Sequence, residues 1–507
     1  MNSKQKFYAD AIVVGSGMGG MSAACMMAKN GLKVTVLEAA HVPGGCSSSY
    51  KRKGYIFESG ATTLVGFDEH QPLKRLEDEL GIELQKTELN PSMCVHLDGE
   101  QITRYKNDEK WIQEASEKFG NPKGQRKFWE LAKNVSDTVW RVSGKNVFFP
   151  PQNITDWLRL PFQNNPADAP VLRFGFSSVL DVMKSCGVNT PRFRRFVDEQ
   201  LMITAQSEAD DTPFLFGAAG LTYTNYSNYY VYGGLLRMIE QLQEWLESKG
   251  SEVKTRRKVV HIEPASDGLY KVITEKGEEY YAPVVISNLP VWNMAEITSP
   301  EIQPWFKEKS QKYKKAWGAI TMGVVHKDTF ADDMPLHHQI HFEEGDALPM
   351  AGARSVFVSM SAKDDTERAK KGLRTLNVSC HTPTAKWFSM NGQYDDNKAH
   401  VQASILEHLE QKLPGFNKKD VELAFAATPV TWQNWVYRKE GRVGGIPQSM
   451  NRSLLDWTPA QAPFSGLFLC GDTVYPGQGI PGVTLSGINV YYRVKNYLNK
   501  TKIKATF

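Results

Sequence analysis

The sequence predicts an α/β fold, α+β overall, in which a parallel-sheet domain is interleaved along the chain with a mixed sheet-and-helix domain. Three observations predict it. Residues 10–37 read as strand, glycine turn, helix and strand; residues 466–495 read as strand, irregular loop and helix. Between them run amphipathic helices and short strands, with no linker or low-complexity tract to separate successive lobes. At 507 residues the chain also exceeds one ordinary core.

The first element is "DAIVVG", an apolar β-branched run that ends at Gly15. "GSGMGGMSAACMMAKNG" then places Gly15, Gly17 and Gly20 in G-x-G-x-x-G spacing, with Gly19 alongside, and opens a helix of small residues that ends at Gly31. "KVTVLEA" is the second strand, and Glu38 stands at its end. Each part has a physical task in a Rossmann-like unit. Gly15 permits the tight turn, Gly17 lets backbone N–H groups approach a pyrophosphate, and Gly20 lets the helix pack on the strand. Glu38 is placed to accept hydrogen bonds from a ribose and to repel a 2′-phosphate. A dinucleotide site follows.

Further along, "PLKRLEDELG", "KWIQEASEKFG", "SVLDVMKSCG" and "PRFRRFVDEQLMITAQ" carry helical apolar spacing. The proline-broken stretch "VFFPPQNITDWLRLPFQNNPADAP" gathers Trp157, Leu158, Leu160 and Phe162. It reads either as a loop and short helix that dips into a membrane face or as an inter-helix connection packed on a core. Residues 228–250 form a glycine turn and an amphipathic helix, and residues 252–287 form strands that end at Asn288. "AWGAITMGVVHK", "RSVFVSMSA" and "RTLNVSCHTP" are strands, and "HVQASILEHLEQKLPG" is a helix. His337, His338 and His341 are close in sequence, but alternation sends His337 and His338 to opposite faces, so no metal site is expected. Glu208, Asp210 and Asp211 read as a solvated turn or cap.

"GLFLCGD" is a strand that ends at Gly471 and Asp472, followed by the loop "TVYPGQGIPGV" and a helix. Such a unit offers bare backbone and a positive helix N-terminus, suited to an electron-rich heterocycle.

The second glycine pair, Gly44 and Gly45 in "HVPGGCSSSYKRKGYIFESGATTLVG", makes the chain resemble the FAD-containing amine oxidase and phytoene desaturase superfamily. "PGQGIPGVTLSG", "EGRVGGIPQS" and "YYVYGG" resemble its carotenoid branch of desaturases, cis–trans isomerases and retinol saturases. The resemblance implies a discontinuous FAD-binding domain, residues 1–100, 221–300 and 426–507, and a substrate and membrane-facing domain, residues 101–220 and 301–425. It implies that Gly44 and Gly45 run along the FAD pyrophosphate and that this chain has Cys46 where the family has an arginine. It further implies adenine contacts from the backbone of Val259 or Val260, and a ribitol or pyrophosphate contact from Gly471 and Asp472. Gly482 and Val483 are implied beside the flavin ring. No catalytic acid or base stands out; Tyr475 and Gln478 are the polar candidates near the flavin.

By the same resemblance the protein is an FAD-dependent carotenoid desaturase acting on a hydrophobic linear polyene at a membrane surface. Aromatic and methionine side chains of residues 147–240 line its tunnel, and a lipid-soluble acceptor or oxygen takes the electrons. Cis–trans isomerisation and saturation are the alternatives, with an amine or protoporphyrinogen oxidase and a non-enzymatic flavin scaffold further off. Only one G-x-G-x-x-G is present, so a second dinucleotide domain is not expected. A net charge of +4 among 116 charged groups argues against a nucleic-acid binder. Six scattered cysteines and the lack of a signal peptide or a long apolar run indicate a cytoplasmic protein peripheral to a membrane. The basic tail "RVKNYLNKTKIK" reads as a solvated helix or as a contact for anionic headgroups.

Overall fold

In the computed structural model, residues 5–314, 316–390 and 392–501 are described. A five-stranded parallel sheet runs in the order Glu252–Lys254, Val34–Leu37, Ala11–Val14, Val284–Ser287, Leu467–Leu469. Its three inner segments, VTVL, AIVV and VVIS, and the edge segment LFL are buried throughout. Continuous apolar runs of this kind are what a sheet covered on both faces requires. The helix Met18–Lys29 buries eleven of its twelve residues. Beside it lies the long helix Gly479–Thr501. The two approach so closely that a Cβ on Gly487 would lie 2.3 Å from the Gly19 carbonyl oxygen. The first and last parts of the chain thus share one core.

A larger sheet holds the second lobe, in the order Val421–Ala427, Trp317–Lys327, Leu373–Pro383, Ser355–Met360, His337–His341, Met93–Leu97, Glu100–Arg104. The hairpin of its last two strands straddles the expected border at residue 100, yet pairs as a whole with this sheet. Against the sheet sit the helices Asp108–Phe119, Pro122–Lys145, Val179–Cys186, Pro191–Thr204 and Phe214–Leu221. Their core is aromatic: Trp111, Phe128, Trp129, Phe193 and Phe196 stack or meet edge to face. Phe193, Phe196 and Phe214, part of the aromatic stock expected to line a tunnel, are fully buried in this packing.

The two lobes are stapled by a buried charge cluster. Arg368, from the second lobe, forms an ion pair with Glu58 of "FESGA". Glu58 also accepts from Ser49 Oγ at 2.6 Å and from the Leu235 backbone N–H at 3.2 Å. Asp365 accepts from the Tyr230 hydroxyl at 2.6 Å and the Gly233 N–H at 3.0 Å. "FESGA" and "YYVYGG" are therefore joined through one network.

The proline-broken stretch is a helix, Ile154–Gln163, and a 3-10 segment, Pro166–Gly175. Its outer face exposes Ile154, Trp157, Leu158 and Phe162, while Asp156 beneath is buried against Arg493. Arg493, the first basic residue of the tail, is thus an internal bolt rather than a surface charge; residues 502–504 of that tail lie outside the described residues.

Candidate functional site

The parallel sheet directs four strand ends toward one place. Gly15, Glu38, Asn288 and Gly471 follow the carboxyl ends of their strands, where ligands of open α/β sheets bind. All four line a cavity of about 630 Å³, within the range of small-ligand sites.

The cradle is built from backbone. Gly15, at φ +93°, donates its N–H to the Leu37 carbonyl at 2.8 Å and turns the chain into the helix. A Cβ on Gly20 would lie 2.2 Å from the Gly15 carbonyl oxygen, so only glycine seats the helix there. Gly20 is therefore a packing residue behind the cavity wall, while Gly15, Gly17 and Gly19 form the wall. Gly17 pairs with Gly44 in a parallel bridge, which lays the second glycine pair against the first. Gly44 and Gly45 both take positive φ and line the cavity.

Glu38 is buried and binds both loops together. Its Oε2 accepts from the Ser16 N–H at 2.9 Å and from the Ser16 hydroxyl, and its Oε1 accepts from the Ala40 N–H at 2.8 Å. Ser16 Oγ in turn accepts from the Gly44 N–H at 3.1 Å. A carboxylate has about four acceptor positions, so Glu38 keeps capacity for a ribose.

Two residues of the wall were not singled out by sequence reading. Asn288 fills the space between the halves: a Cβ on Gly17 would lie 2.6 Å from its Nδ2, and one on Gly471 2.9 Å from its Oδ1. Arg438 pairs with Asp472 at 2.7 Å, both largely buried. The only signal for Asn288 was its place at a strand end, and Arg438 had none: it lies within the 426–507 segment expected in the FAD-binding domain, but its arm leaves the large sheet after Ala427 and Arg442–Val443 pairs back onto that sheet, so the second lobe delivers it. Burial raises the pKa of the neighbouring Cys46 thiol, and Arg438 lowers it in part.

Several expected positions fall elsewhere. Val259 lines the cavity, whereas Val260 points outward and is 38% exposed. Val483 lines it, whereas Gly482 faces the Gly477 carbonyl, 2.8 Å from where a Cβ would stand. Neither Tyr475 nor Gln478 is on the wall. The Tyr475 ring packs between Phe149 and Trp457, its hydroxyl donates to Ser143 Oγ at 3.4 Å, and burial raises its pKa. Gln478 donates to the Thr204 carbonyl. Both fasten the loop to the second lobe. Glu208 and Asp210 pair with Arg354 and Arg194 on the surface.

The histidines of the large sheet do not converge as a sequence triplet. His338 instead meets Cys94 and His96 of the neighbouring strand, with ligand-type atoms within 4.8 Å of one another. His96 Nε2 and His338 Nδ1 share a hydrogen bond of 3.0 Å, and His338 Nε2 donates to the Pro335 carbonyl at 2.8 Å. These ring nitrogens are satisfied by one another and by backbone.

The residues present fit FAD: bare glycine backbone for the phosphates, a buried carboxylate with free acceptor capacity for the ribose, and one cavity of about 630 Å³ that both line. Among relatives, the prolycopene isomerase of Daucus carota is 27% identical over 96% of this chain and 80% of its own length. The neurosporene-forming phytoene desaturase of Rhodobacter capsulatus is 23% identical over 94% and 92%. Among solved structures, an oxidoreductase from Methanosarcina mazei superposes with a TM-score of 0.63 at 18% identity, over 96% of this chain and all of that one. The sequence profile of flavin containing amine oxidoreductases matches residues 18–494, nearly the whole chain. The protein is an FAD-dependent oxidoreductase, and it belongs to the flavin-containing amine oxidoreductase family.

Proposed function

We propose that the protein acts on a linear carotenoid-like polyene by redox-neutral cis–trans isomerisation. FAD supplies a reversible two-electron centre. One observation carries the choice over desaturation, which the sequence favoured. Removing a hydrogen pair from a carbon chain needs a group to take a proton. On the loop Gly471–Gly479 the one titratable side chain on the cavity wall is Asp472, and its carboxylate is engaged by Arg438. Isomerisation needs no such base. The names of relatives at 26–27% identity, all prolycopene isomerases, favour the same reading.

Desaturation is the second reading, favoured by two relatives at 22–23% identity, a phytoene desaturase and a hydroxycarotenoid desaturase. It requires an electron acceptor, lipid-soluble or oxygen.

The polyene is extracted from a bilayer through the face around Ile154–Gln163. Ile154, Trp157, Leu158 and Phe162 are exposed there, joined by Leu172 and Phe176. A cluster of large apolar side chains on one amphipathic helix suits an interfacial contact. Among the described residues no helix is long and apolar enough to cross a membrane.

The test is anaerobic incubation of the FAD-loaded protein, oxidised or pre-reduced, with linear carotenoids in liposomes. Unchanged product mass with altered geometry, seen with reduced flavin, supports isomerisation. Loss of two hydrogens with bleaching of oxidised flavin refutes it in favour of desaturation, and a gain of two hydrogens refutes both.

A further inference from the structure

The second lobe sends one arm into the cofactor cavity, the helix Pro429–Val436 and the turn that follows it to Glu440. Arg438 is the innermost cation of that arm. Its side chain is 14% exposed, and it lines the cavity together with Cys46 and Asp472. Two of its nitrogens are engaged: Nε donates to the Arg442 carbonyl and Nη2 to Asp472 Oδ2. Nη1 makes no hydrogen bond among the described residues.

The other basic groups on the wall are differently committed. Lys439 pairs with Glu296 at 2.7 Å, and Lys258 lies over the Tyr437 ring at 5.2 Å. Glu38 and Asp472 bring two carboxylates into the same cavity. A doubly anionic pyrophosphate on the glycine cradle would share the cavity with these carboxylates, and Arg438 is a largely buried cation on the same wall. The place of Arg438 is also telling. It lies close enough to Cys46, the residue directly after the Gly44–Gly45 pair, for its charge to lower the pKa of that thiol in part.

We propose that Arg438 is the phosphate-binding cation of the FAD site, supplied by the arm from the large sheet, with Asp472 holding its guanidinium in position. A fixed fork with one nitrogen already on a carboxylate and another free is pre-organised for a phosphate oxygen. The second lobe then does more than accept substrate: it completes the cofactor site.

The test uses full-length holoprotein dialysed to equilibrium against graded FAD, with ADP-ribose as competitor. ADP-ribose carries the pyrophosphate but no flavin. Arg438→Gln should weaken retention of FAD and competition by ADP-ribose alike, each roughly ten- to a hundred-fold. Arg438→Lys, which keeps the charge, should recover most of both. Unchanged FAD affinity in a folded Arg438→Gln protein overturns the proposal. So does weakened FAD with unchanged ADP-ribose, which would set the cation at the flavin. If Arg438→Gln does not fold, Asp472→Asn decides: the proposal expects it to weaken both ligands, and unchanged affinity for both in a folded Asp472→Asn protein overturns it. Failure of the wild type to retain FAD would instead overturn the cofactor assignment itself.

Discussion

Phe162→Ser gives the sharpest test of the membrane face. Phe162 is 90% exposed, so its side chain contributes almost nothing to the folded core and is nearly all available to a bilayer. Full burial of a phenylalanine side chain is worth about 1.5–3 kcal/mol, so the exposed nine-tenths corresponds to roughly 1.5–2.5 kcal/mol on transfer. That is a fall of about ten- to sixty-fold in vesicle partition. Ile154→Ser, at 72% exposure, should add a further drop of similar kind. The assay is co-sedimentation of holoprotein with zwitterionic and with anionic liposomes. Phe388→Ser serves as control, since Phe388 is also exposed but lies on the far sheet's helical turn Ala385–Phe388. The thermal midpoint of Phe162→Ser should stay unchanged, whereas Phe388→Ser, whose side chain is more than half buried, should lose stability without losing partition. Equal partition of Phe162→Ser and wild type, or no binding by the wild type, would refute the assignment of this face.

Glu38→Ala removes the carboxylate proposed to hold the ribose and the tie between Ser16 and Ala40; the ratio of flavin to protein absorbance after gel filtration should fall about tenfold or more. Glu58→Gln removes one of the two carboxylates that Arg368 pairs with and leaves Asp365 as its partner, so the urea midpoint should drop by the equivalent of about 1.5–3 kcal/mol, and Glu58→Gln with Arg368→Met should cost less than the two single losses together; additive losses would count against direct coupling. Acid should unfold the protein early. Burial lowers the pKa of His96 and His337 to about 4 and of His338 and His341 to about 3. The unfolded chain takes up these protons near pH 6.5, so stability is present above that pH and is lost as pH falls toward 4. Each histidine contributes about 1.4 kcal/mol per pH unit in that window. His338→Gln should flatten the slope by one proton, and a pH-independent urea midpoint from 6.5 to 4.5 would contradict it.

The parallel-sheet unit was legible because its signals are local. Gly15, Gly17 and Glu38 lie within one strand–helix–strand stretch, and each is fixed by backbone sterics rather than by distant partners. In the far half, Gly471, Asp472 and Val483 were legible for the same reason, whereas Gly482 and Gln478 were not. What sequence could not show is contact across long separations. Asn288 touches Gly17 and Gly471 only because three strands stand side by side. Val259 and Val260 are both valines of one strand, and a β-bulge just after Val259 decides which faces the cavity. Tyr475 looked like a cavity residue because its loop is, but rings from Phe149 and Trp457 draw it to the other side.

Interleaving of the lobes has a consequence for how the enzyme holds its cofactor. The wall of the cavity comes from four strand ends of one lobe and an arm of the other. That arm starts where the large sheet ends, at Ala427, and Arg442–Val443 pairs back onto the strand Trp317–Lys327. Arg438 is thus fixed by a sheet to which the glycine cradle makes no backbone pairing. Opposite it, Glu58 and Arg368 fix the lobes at a second point. A lobe anchored at two separated points cannot swing freely over the cavity, so binding of FAD and docking of the second lobe are linked equilibria. Loss of FAD should loosen the second lobe, and substitutions at Glu58, far along the chain from Arg438, should raise the rate at which FAD escapes.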